Sequence, residues 1–223
     1  MKVCVTIPAY NEAAAIGPLV EEIKKKNLSV VVIDDGSTDN TGDIARRAGA
    51  FVLRHENKKG KGASLRDGFA YALKENFDGV LTMDGDGQHA PEDIDLFLAK
   101  ASQHPRSIIL GSRMDNPRGM PLIRFLTNKI MSAVISRIAK QDMPDTQCGF
   151  RFISTAVLRE VQVASSDFEA ESEILIESNR KSFKIYSVPI KTIYRNEKSK
   201  INPLMDTIRF VKYLLRTLRS KRT

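Results

Sequence analysis

Short apolar runs rich in β-branched residues alternate with helical stretches along the first two-thirds of the chain. Lys2–Ile7, Ser29–Ile33, Ala50–Arg54, Gly79–Met83 and Ser107–Leu110 read as strands, since Val, Ile and Thr suit a pleated, buried surface. Between them Ile16–Lys26, Asn40–Ala48, Gly60–Asn76 and Pro91–Ala101 read as helices. The last opens Pro91-Glu92-Asp93, a favourable start because proline presets φ and acidic groups meet the positive end of the helix dipole. Strands alternating with helices predict an α/β domain, a mostly parallel sheet with helices on both faces.

The final third changes character. Pro121–Ala139 is a long, broadly apolar helix candidate interrupted by Arg124, Lys129 and Arg137. After a loop over Gln141–Gly149, Phe150–Ile153 resumes a strand and Phe168–Arg180 is helical and acidic. Phe183–Val188 and Lys191–Tyr194 are expected to pair as strands around Pro189, and Pro203–Arg219 closes the chain as a helix. With no linker composition in between, residues 1–202 are expected to form one domain, and 203–223 a basic amphipathic helix packed on it or appended to it.

Composition narrows the classes. The 223 residues are 42% hydrophobic and 28% charged, the balance of a globular chain and not of a disordered one. No run approaches the ~18 apolar residues of a membrane span. The first residues form a Pro-interrupted apolar run too short for a signal peptide. Cys4 and Cys148 make no disulfide framework and are expected to be free thiols. Thirty-five basic against 27 acidic residues give +8, which favours anionic partners. Nucleic acid is not one of those expected, because no recognised binding motif appears and aromatics do not interleave with the basic residues.

Met83-Asp84-Gly85-Asp86-Gly87-Gln88-His89 follows directly on the fourth strand. Its carboxylates fall at the strand end, the edge at which open α/β sheets bind ligands. Two acidic groups crowded on a glycine-loosened turn repel each other unless a cation holds them. Hard ions such as Mg²⁺ or Mn²⁺ favour such oxygens and share them with substrate phosphates. A solvated Asp-Gly turn is the plain alternative. Ile7-Pro8-Ala9-Tyr10-Asn11-Glu12 and Val32-Ile33-Asp34-Asp35-Gly36-Ser37-Thr38-Asp39 end two more strands. Such a crevice suits a nucleotide, with an aromatic or Pro-lined slot for the base and carboxylates for hydroxyls and ring N–H groups. Helix capping accounts for at least one of Ser37, Thr38 and Asp39.

The ordered series IPAYNE, VIDDGSTD, NKKGKGASLRDG, MDGDGQH, GSR, DTQCGFR and YRNEKSKIN, from about Val3 to Asn202, resembles the inverting family 2 glycosyltransferases of GT-A fold. It is most similar to the dolichyl- and polyprenyl-phosphate sugar transferases. The resemblance implies a Rossmann-like GT-A fold and transfer of a hexose, mannose or glucose, from a nucleotide sugar to a polyprenyl phosphate. It implies that Pro8, Tyr10, Glu12, Asp35 and Lys61 hold the nucleotide. Asp84 and Asp86 would bind Mg²⁺ or Mn²⁺ on the diphosphate, with Gln88 near the donor sugar or the metal. Arg113 would meet phosphate, and with Arg151, Arg195 and Lys200 it would face the acceptor phosphate. Arg195, Ser199 and Lys200 belong to a loop that would close as a flap.

The chemistry divides the possible acceptors. A divalent ion neutralises charge developing on a leaving diphosphate, and Arg113 and Lys61 add charge-assisted hydrogen bonds. A phosphate monoester, with a second pKa near ~6, is largely ionised at neutral pH and needs no base. A saccharide or protein hydroxyl would need one, and Asp145 in Asp145-Thr146-Gln147 is the candidate, with a loop-start cap as its structural alternative. A sugar nucleotidyltransferase would want a basic triphosphate loop after the first strand, and Ala9–Gly17 holds no Arg or Lys. A non-catalytic nucleotide-sugar sensor is disfavoured by the presence of both carboxylates and the Asp145 loop. His89 is either a metal ligand or a hydrogen-bonded loop residue, and His55 and His104 have no partner visible in sequence.

Larger members of the resembled family add C-terminal membrane helices that this sequence lacks. In Asp206–Arg219, Ile208, Val211, Leu214, Leu215 and Leu218 form an apolar stripe, with Arg209, Lys212, Arg216 and Arg219 beside it. Such a helix could lie on an anionic membrane at the cytoplasmic face, or simply cover the core. A membrane-anchoring partner subunit is the other route to a lipid.

Overall fold

The computed structural model describes residues 1–115, 117, 119–165 and 169–193. The expected flap residues Arg195, Ser199 and Lys200 and the helix over 203–219 lie outside the described residues. The first half runs β1 (Val3–Ala9), α1 (Ile16–Lys25), β2 (Ser29–Asp34), α2 (Thr41–Arg47), β3 (Phe51–Arg54), α3 (Lys61–Lys74) and β4 (Gly79–Thr82). A 3₁₀ turn at Pro91–Asp93 then leads into α4 (Ile94–Gln103), β5 (Ser107–Ser112) and α5 (Leu122–Ala139). β6 (Arg151–Ser154), α6 (Thr155–Glu160), α7 (Glu169–Arg180) and β7 (Lys184–Pro189) follow.

Seven strands form one sheet in the order β3-β2-β1-β4-β6-β5-β7. β1 lies between β2 and β4, parallel to both, and β5 pairs parallel with β7. The expected α/β sheet with helices on both faces is what the chain forms. Alternation along β1 sorts the core. Val3, Val5, Ile7 and Ala9 pack with Ile16, Leu19, Val20 and Ile23 of α1 and Phe97 of α4. Cys4 turns to the other face, with Val31, Ile33 and with Leu65, Phe69 and Ala72 of α3. Each fully buried Val, Leu or Ile stabilises the fold by about 1.5–3 kcal/mol.

Gly68 lets α3 ride directly on β1, since a Cβ there would stand 2.3 Å from Thr6 Cγ2. That close approach seats the first turn of α3, with Lys61, over the carboxyl edge of the sheet.

β6 is antiparallel to both neighbours, with Arg151 opposite Thr82 of β4 and Leu110 of β5. The chain therefore enters β6 from the edge at which β4 and β5 end. This brings the 145–150 loop beside the Asp84–Asp86 turn, although more than fifty residues separate them.

The expected pairing of Phe183–Val188 with Lys191–Tyr194 is corrected. β7 pairs with β5 instead, and the residues after Pro189 strap the carboxylate loop. Thr192 bridges to His89, Ile193 N–H donates to Gln88 O at 2.9 Å, and Lys191 N–H donates to Asp93 Oδ2 at 2.7 Å. α6, capped by Ser154 Oγ accepting from Val157 N–H at 3.4 Å, is an element that the periodicity did not reveal.

Candidate active site

Loops at the carboxyl ends of β1, β2 and β4 meet in one crevice. The first two are interlocked: Asn11 N–H donates to Ser37 Oγ at 3.0 Å, Thr38 N–H to Asn11 Oδ1 at 2.8 Å and Glu12 N–H to Thr41 Oγ1 at 2.8 Å. Ser37, Thr38 and Thr41 thus bind loop to loop. Tyr10 is half-buried, with Lys58 Nζ 3.9 Å above its ring, a cation–π contact that holds the ring in place. Pro8 and Glu12 are also half-buried beside it. Glu12 and Ala9 pack on Gly85, where a Cβ would come within 3.3 Å of each.

Asp84 and Asp86 flank that glycine, and each sits in a different field. Lys61 Nζ is 2.6 Å from Asp84 Oδ1 and 2.8 Å from Glu171 Oε1. Burial alone would raise the Asp84 pKa, but the Lys61 charge and hydrogen bond, with the Arg113 charge behind them, outweigh it and hold the carboxyl well below its ordinary range. Burial would likewise lower the Lys61 pKa, yet Asp84 and Glu171 hold it above its ordinary value. Among the described residues no Lys or Arg forms an ion pair with Asp86. Its pKa is raised by burial and then by the negative Asp84, while Oδ1 accepts from Gln88 N–H at 2.9 Å. The two carboxylates thus sit in different fields, Asp84 beside Lys61 and Asp86 beside the Asp84 charge.

His89 proves to be the hydrogen-bonded loop histidine. Its Nδ1 accepts from Asp84 N–H at 3.1 Å, its ring stacks on Phe150 at 5.1 Å, and burial lowers its pKa. With Nδ1 occupied and the proton on Nε2, the ring braces the turn and offers no lone pair to a metal.

Asp35 serves as a hub. Its Oδ1 accepts from Lys59 N–H at 2.8 Å and its Oδ2 from Gly60 N–H at 2.9 Å, so it holds the turn that launches α3. His55, which the sequence left without a partner, lies between Asp35 Oδ1 and Asp67 Oδ2, each 2.7 Å away. Among the described residues Asp35 has three hydrogen-bond partners, out of about four that a carboxylate can take.

Two expectations change here. Asp145 is fully buried, and its oxygens take Arg113 Nε–H at 2.7 Å and Nη2–H at 2.9 Å in a bidentate grip. Burial would raise the Asp145 pKa, but the Arg113 hydrogen bonds and charge hold it below its ordinary value. Such a carboxylate is a poor proton acceptor, so the reading of Asp145 as a general base is not supported. Arg113 is correspondingly buried and turned toward Asp145. Its charge still lowers the Asp84 pKa, which makes it a fixed positive field under the site.

Arg151, expected to face the acceptor phosphate, is turned inward. It is 2% exposed and donates to Cys148 O at 2.7 Å, Thr146 O at 2.8 Å and Glu171 O at 2.5 Å. Those carbonyls hold its guanidinium in place as a brace for the 145–150 loop. Glu171, which pairs with both Lys61 and Arg151, was missed, because the acidic helix of the last third gave no sign of reaching the site.

The donor set fits a hard divalent ion. Among the described residues no group of three His, Cys, Asp or Glu side chains could hold a metal. Asp84 and Asp86 would supply the protein oxygens and leave the other positions to water and a diphosphate, as Mg²⁺ sites at phosphates commonly do. Gly149 guards the arrangement: a Cβ there would stand 2.7 and 2.8 Å from the Asp84 carboxylate oxygens. Gly149→Ala is therefore expected to displace Asp84 and weaken Mn²⁺-supported UDP or GDP binding by about 10–100-fold in calorimetric titration.

Sheet order, strand-end loops and acid pair together define a glycosyltransferase of GT-A fold. The chain matches the Glycosyl transferase family 2 model over residues 4–162 and belongs to that family. It is 31% identical over 211 residues to the UDP-N-acetylglucosamine–dolichyl-phosphate N-acetylglucosaminyltransferase of Methanococcus voltae, covering 84% of each chain. It is 32% identical over 202 residues to the dolichol-phosphate mannosyltransferase of Pyrococcus furiosus, spanning 85% of this chain and 56% of that one. Mannosyl-3-phosphoglycerate synthase from Rubrobacter xylanophilus superposes with a TM-score of 0.80 at 20% identity, over 99% of this chain and 75% of that one. Glucosyl-3-phosphoglycerate synthase from Mycobacterium tuberculosis, crystallised with Mn²⁺, UDP and phosphoglyceric acid, gives 0.76 at 21% identity, over 98% and 78%. These structures establish the shared fold.

Proposed function

We propose that this protein moves a hexose, with inversion, from a nucleotide sugar to a polyprenyl or dolichyl phosphate at the cytoplasmic face of a membrane. The choice of acceptor rests on the Arg113–Asp145 pair. A hydroxyl acceptor needs a carboxylate able to take its proton, and the candidate carboxylate is buried and saturated by a guanidinium. A phosphate monoester arrives already ionised and needs only cations to position it. The names of the relatives, transferases acting on lipid phosphates, support the same acceptor.

In this reading Pro8 and Tyr10 wall the base, and Asp35 accepts from a base N–H or a ribose hydroxyl. Lys61, on the first turn of α3, adds positive charge where the diphosphate would lie. Mg²⁺ or Mn²⁺ on Asp84 and Asp86 would neutralise the charge developing on the leaving nucleoside diphosphate. Gln88, whose backbone bonds to Asp86 and Ile193, holds the turn closed on its donor side. Arg113 supplies a fixed field and Asp145 aims it. The decisive experiment offers the purified protein a nucleotide sugar with Mn²⁺ and, in parallel, polyprenyl phosphate, 3-phosphoglycerate or free saccharides. Nucleoside diphosphate release stimulated by polyprenyl phosphate is the expected result, and stimulation by a saccharide or phosphoglycerate alone would overturn it.

A further inference from the structure

α5 carries an apolar face that no other described element covers. Of the nine exposed large hydrophobic side chains among the described residues, five stand on this helix: Leu122, Ile123, Leu126, Ile130 and Val134. At 100° per residue they fall within about 120° of the helix circumference. The buried residues of the same helix, Asn128, Ser132, Ile135 and Ala139, lie opposite. Ile123 is 76% exposed and Leu122 70%, so the face opens to solvent along its length. Contiguous exposed apolar surface of this kind marks an interaction site.

Charge identifies what the face meets. Leu122–Ala139 contains Arg124, Lys129 and Arg137 and no acidic residue. Lys129 sits at one edge of the apolar arc, Arg124 lies about 80° beyond the other, and Arg137 falls in line with the arc just after Val134, where long basic side chains can reach a headgroup layer while the arc is buried. A second copy of the helix would bring like charges together. The terminal segment 203–219 is no better suited, because Arg209, Lys212, Arg216 and Arg219 outnumber its one acid, Asp206. An anionic lipid surface satisfies both the apolar arc and its basic flanks.

We propose that α5 is a membrane-docking helix, lying in the interface of an anionic bilayer with Leu122, Ile123, Leu126, Ile130 and Val134 immersed. The inner face of the helix links this surface to the site. Ser132 Oγ accepts from Thr146 N–H at 2.9 Å, and Ser136 Oγ from Met143 N–H at 3.0 Å. The loop held this way carries Asp145, which grips Arg113 just after β5. Docking through α5 thus sets that wall of the site at the lipid surface, where a polyprenyl phosphate presents its phosphate. The inference deepens the proposed function, yet its test needs neither donor nor acceptor.

The chain has no tryptophan, so Ile123→Trp in the full chain gives a single reporter on the exposed arc. Phosphatidylglycerol/phosphatidylcholine vesicles at low salt are expected to shift its emission to the blue, and phosphatidylcholine vesicles to do so much less. Replacing Leu122, Ile123 and Ile130 together by Ser should lower co-sedimentation with the anionic vesicles by at least about tenfold. Circular dichroism should stay unchanged, because all three side chains are exposed. The proposal fails if the triple variant binds vesicles like the parent. It also fails if the Ile123→Trp emission is already blue-shifted without lipid, as a covering chain segment or a second copy would make it. Vesicle binding that is lost in the variant, together with no transfer to polyprenyl phosphate, would uphold the docking helix and refute the acceptor assignment.

Discussion

Asp86→Asn is expected to reduce metal-dependent transfer by about 10³-fold or more, if each lost kcal/mol of charge stabilisation counts as metal catalysis usually does. Without metal, the variant should be at least as stable as the parent. Burial and the neighbouring Asp84 charge raise the Asp86 pKa in the folded state. Ionised Asp86 therefore opposes folding, a cost that is absent below the ordinary carboxylate range and grows as pH rises through the raised pKa. The advantage of the variant should appear at neutral pH and vanish in acid. Thermal unfolding with and without Mn²⁺ and UDP or GDP, beside initial rates, checks both parts. Parent-like stabilisation by metal and nucleotide in the variant would contradict the role given to the carboxylate pair.

Asp145→Ala is expected to destabilise the protein by about 3–5 kcal/mol, the usual cost of stripping the partner from a buried charge. For a chain of this size that is a fall in Tm of about 6–20 °C. Arg113 would be left buried, with its Nε–H and Nη2–H no longer met by a carboxylate. The pH dependence has a definite sign. Asp145 has a lowered pKa in the folded state, so its stabilisation is complete above the unfolded carboxylate pKa of about 3.9 and fades as pH falls through the folded value. The gap in Tm between parent and variant should therefore narrow in strong acid. Activity tells the rest. Asp145→Asn, assayed below its Tm with polyprenyl phosphate, should keep the shape of the parent's rate–pH profile and lose less than the 10²–10⁴-fold that removal of a base would cost, to order of magnitude.

The place of the site was legible in the sequence because strand ends are a local signal. Apolar runs stopping at Pro8-Ala9-Tyr10, Asp34-Asp35 and Asp84-Gly85-Asp86 locate a carboxyl edge without any knowledge of pairing, and β2, β1 and β4 are indeed neighbours. What those side chains do is a matter of long-range partners. Arg113 and Asp145 are 32 residues apart, and His55 lies 20 from Asp35 and 12 from Asp67. A reversed strand, β6, brings the first pair to the site. Sequence alone left open whether Asp145 was a base or a structural loop residue, and Arg151 could be taken for a phosphate ligand because nothing local shows the three carbonyls around it. The Lys191–Tyr194 expectation failed for the same reason. The residues after Pro189 find their partners in the carboxylate loop, about a hundred positions away, and not in the adjacent strand.

In the proposed function, the loops around Asp84 and Asp86 use a divalent ion to pass a sugar from a nucleotide to a lipid phosphate. Radiolabelled UDP- and GDP-hexoses, incubated with the protein, polyprenyl phosphate and Mn²⁺ and then extracted into organic solvent, test it most directly. Label from a preferred donor should enter the lipid phase, and EDTA or Asp86→Asn should abolish it. Label that reaches the lipid undiminished in EDTA, or that remains in the aqueous phase with every donor, would contradict the account.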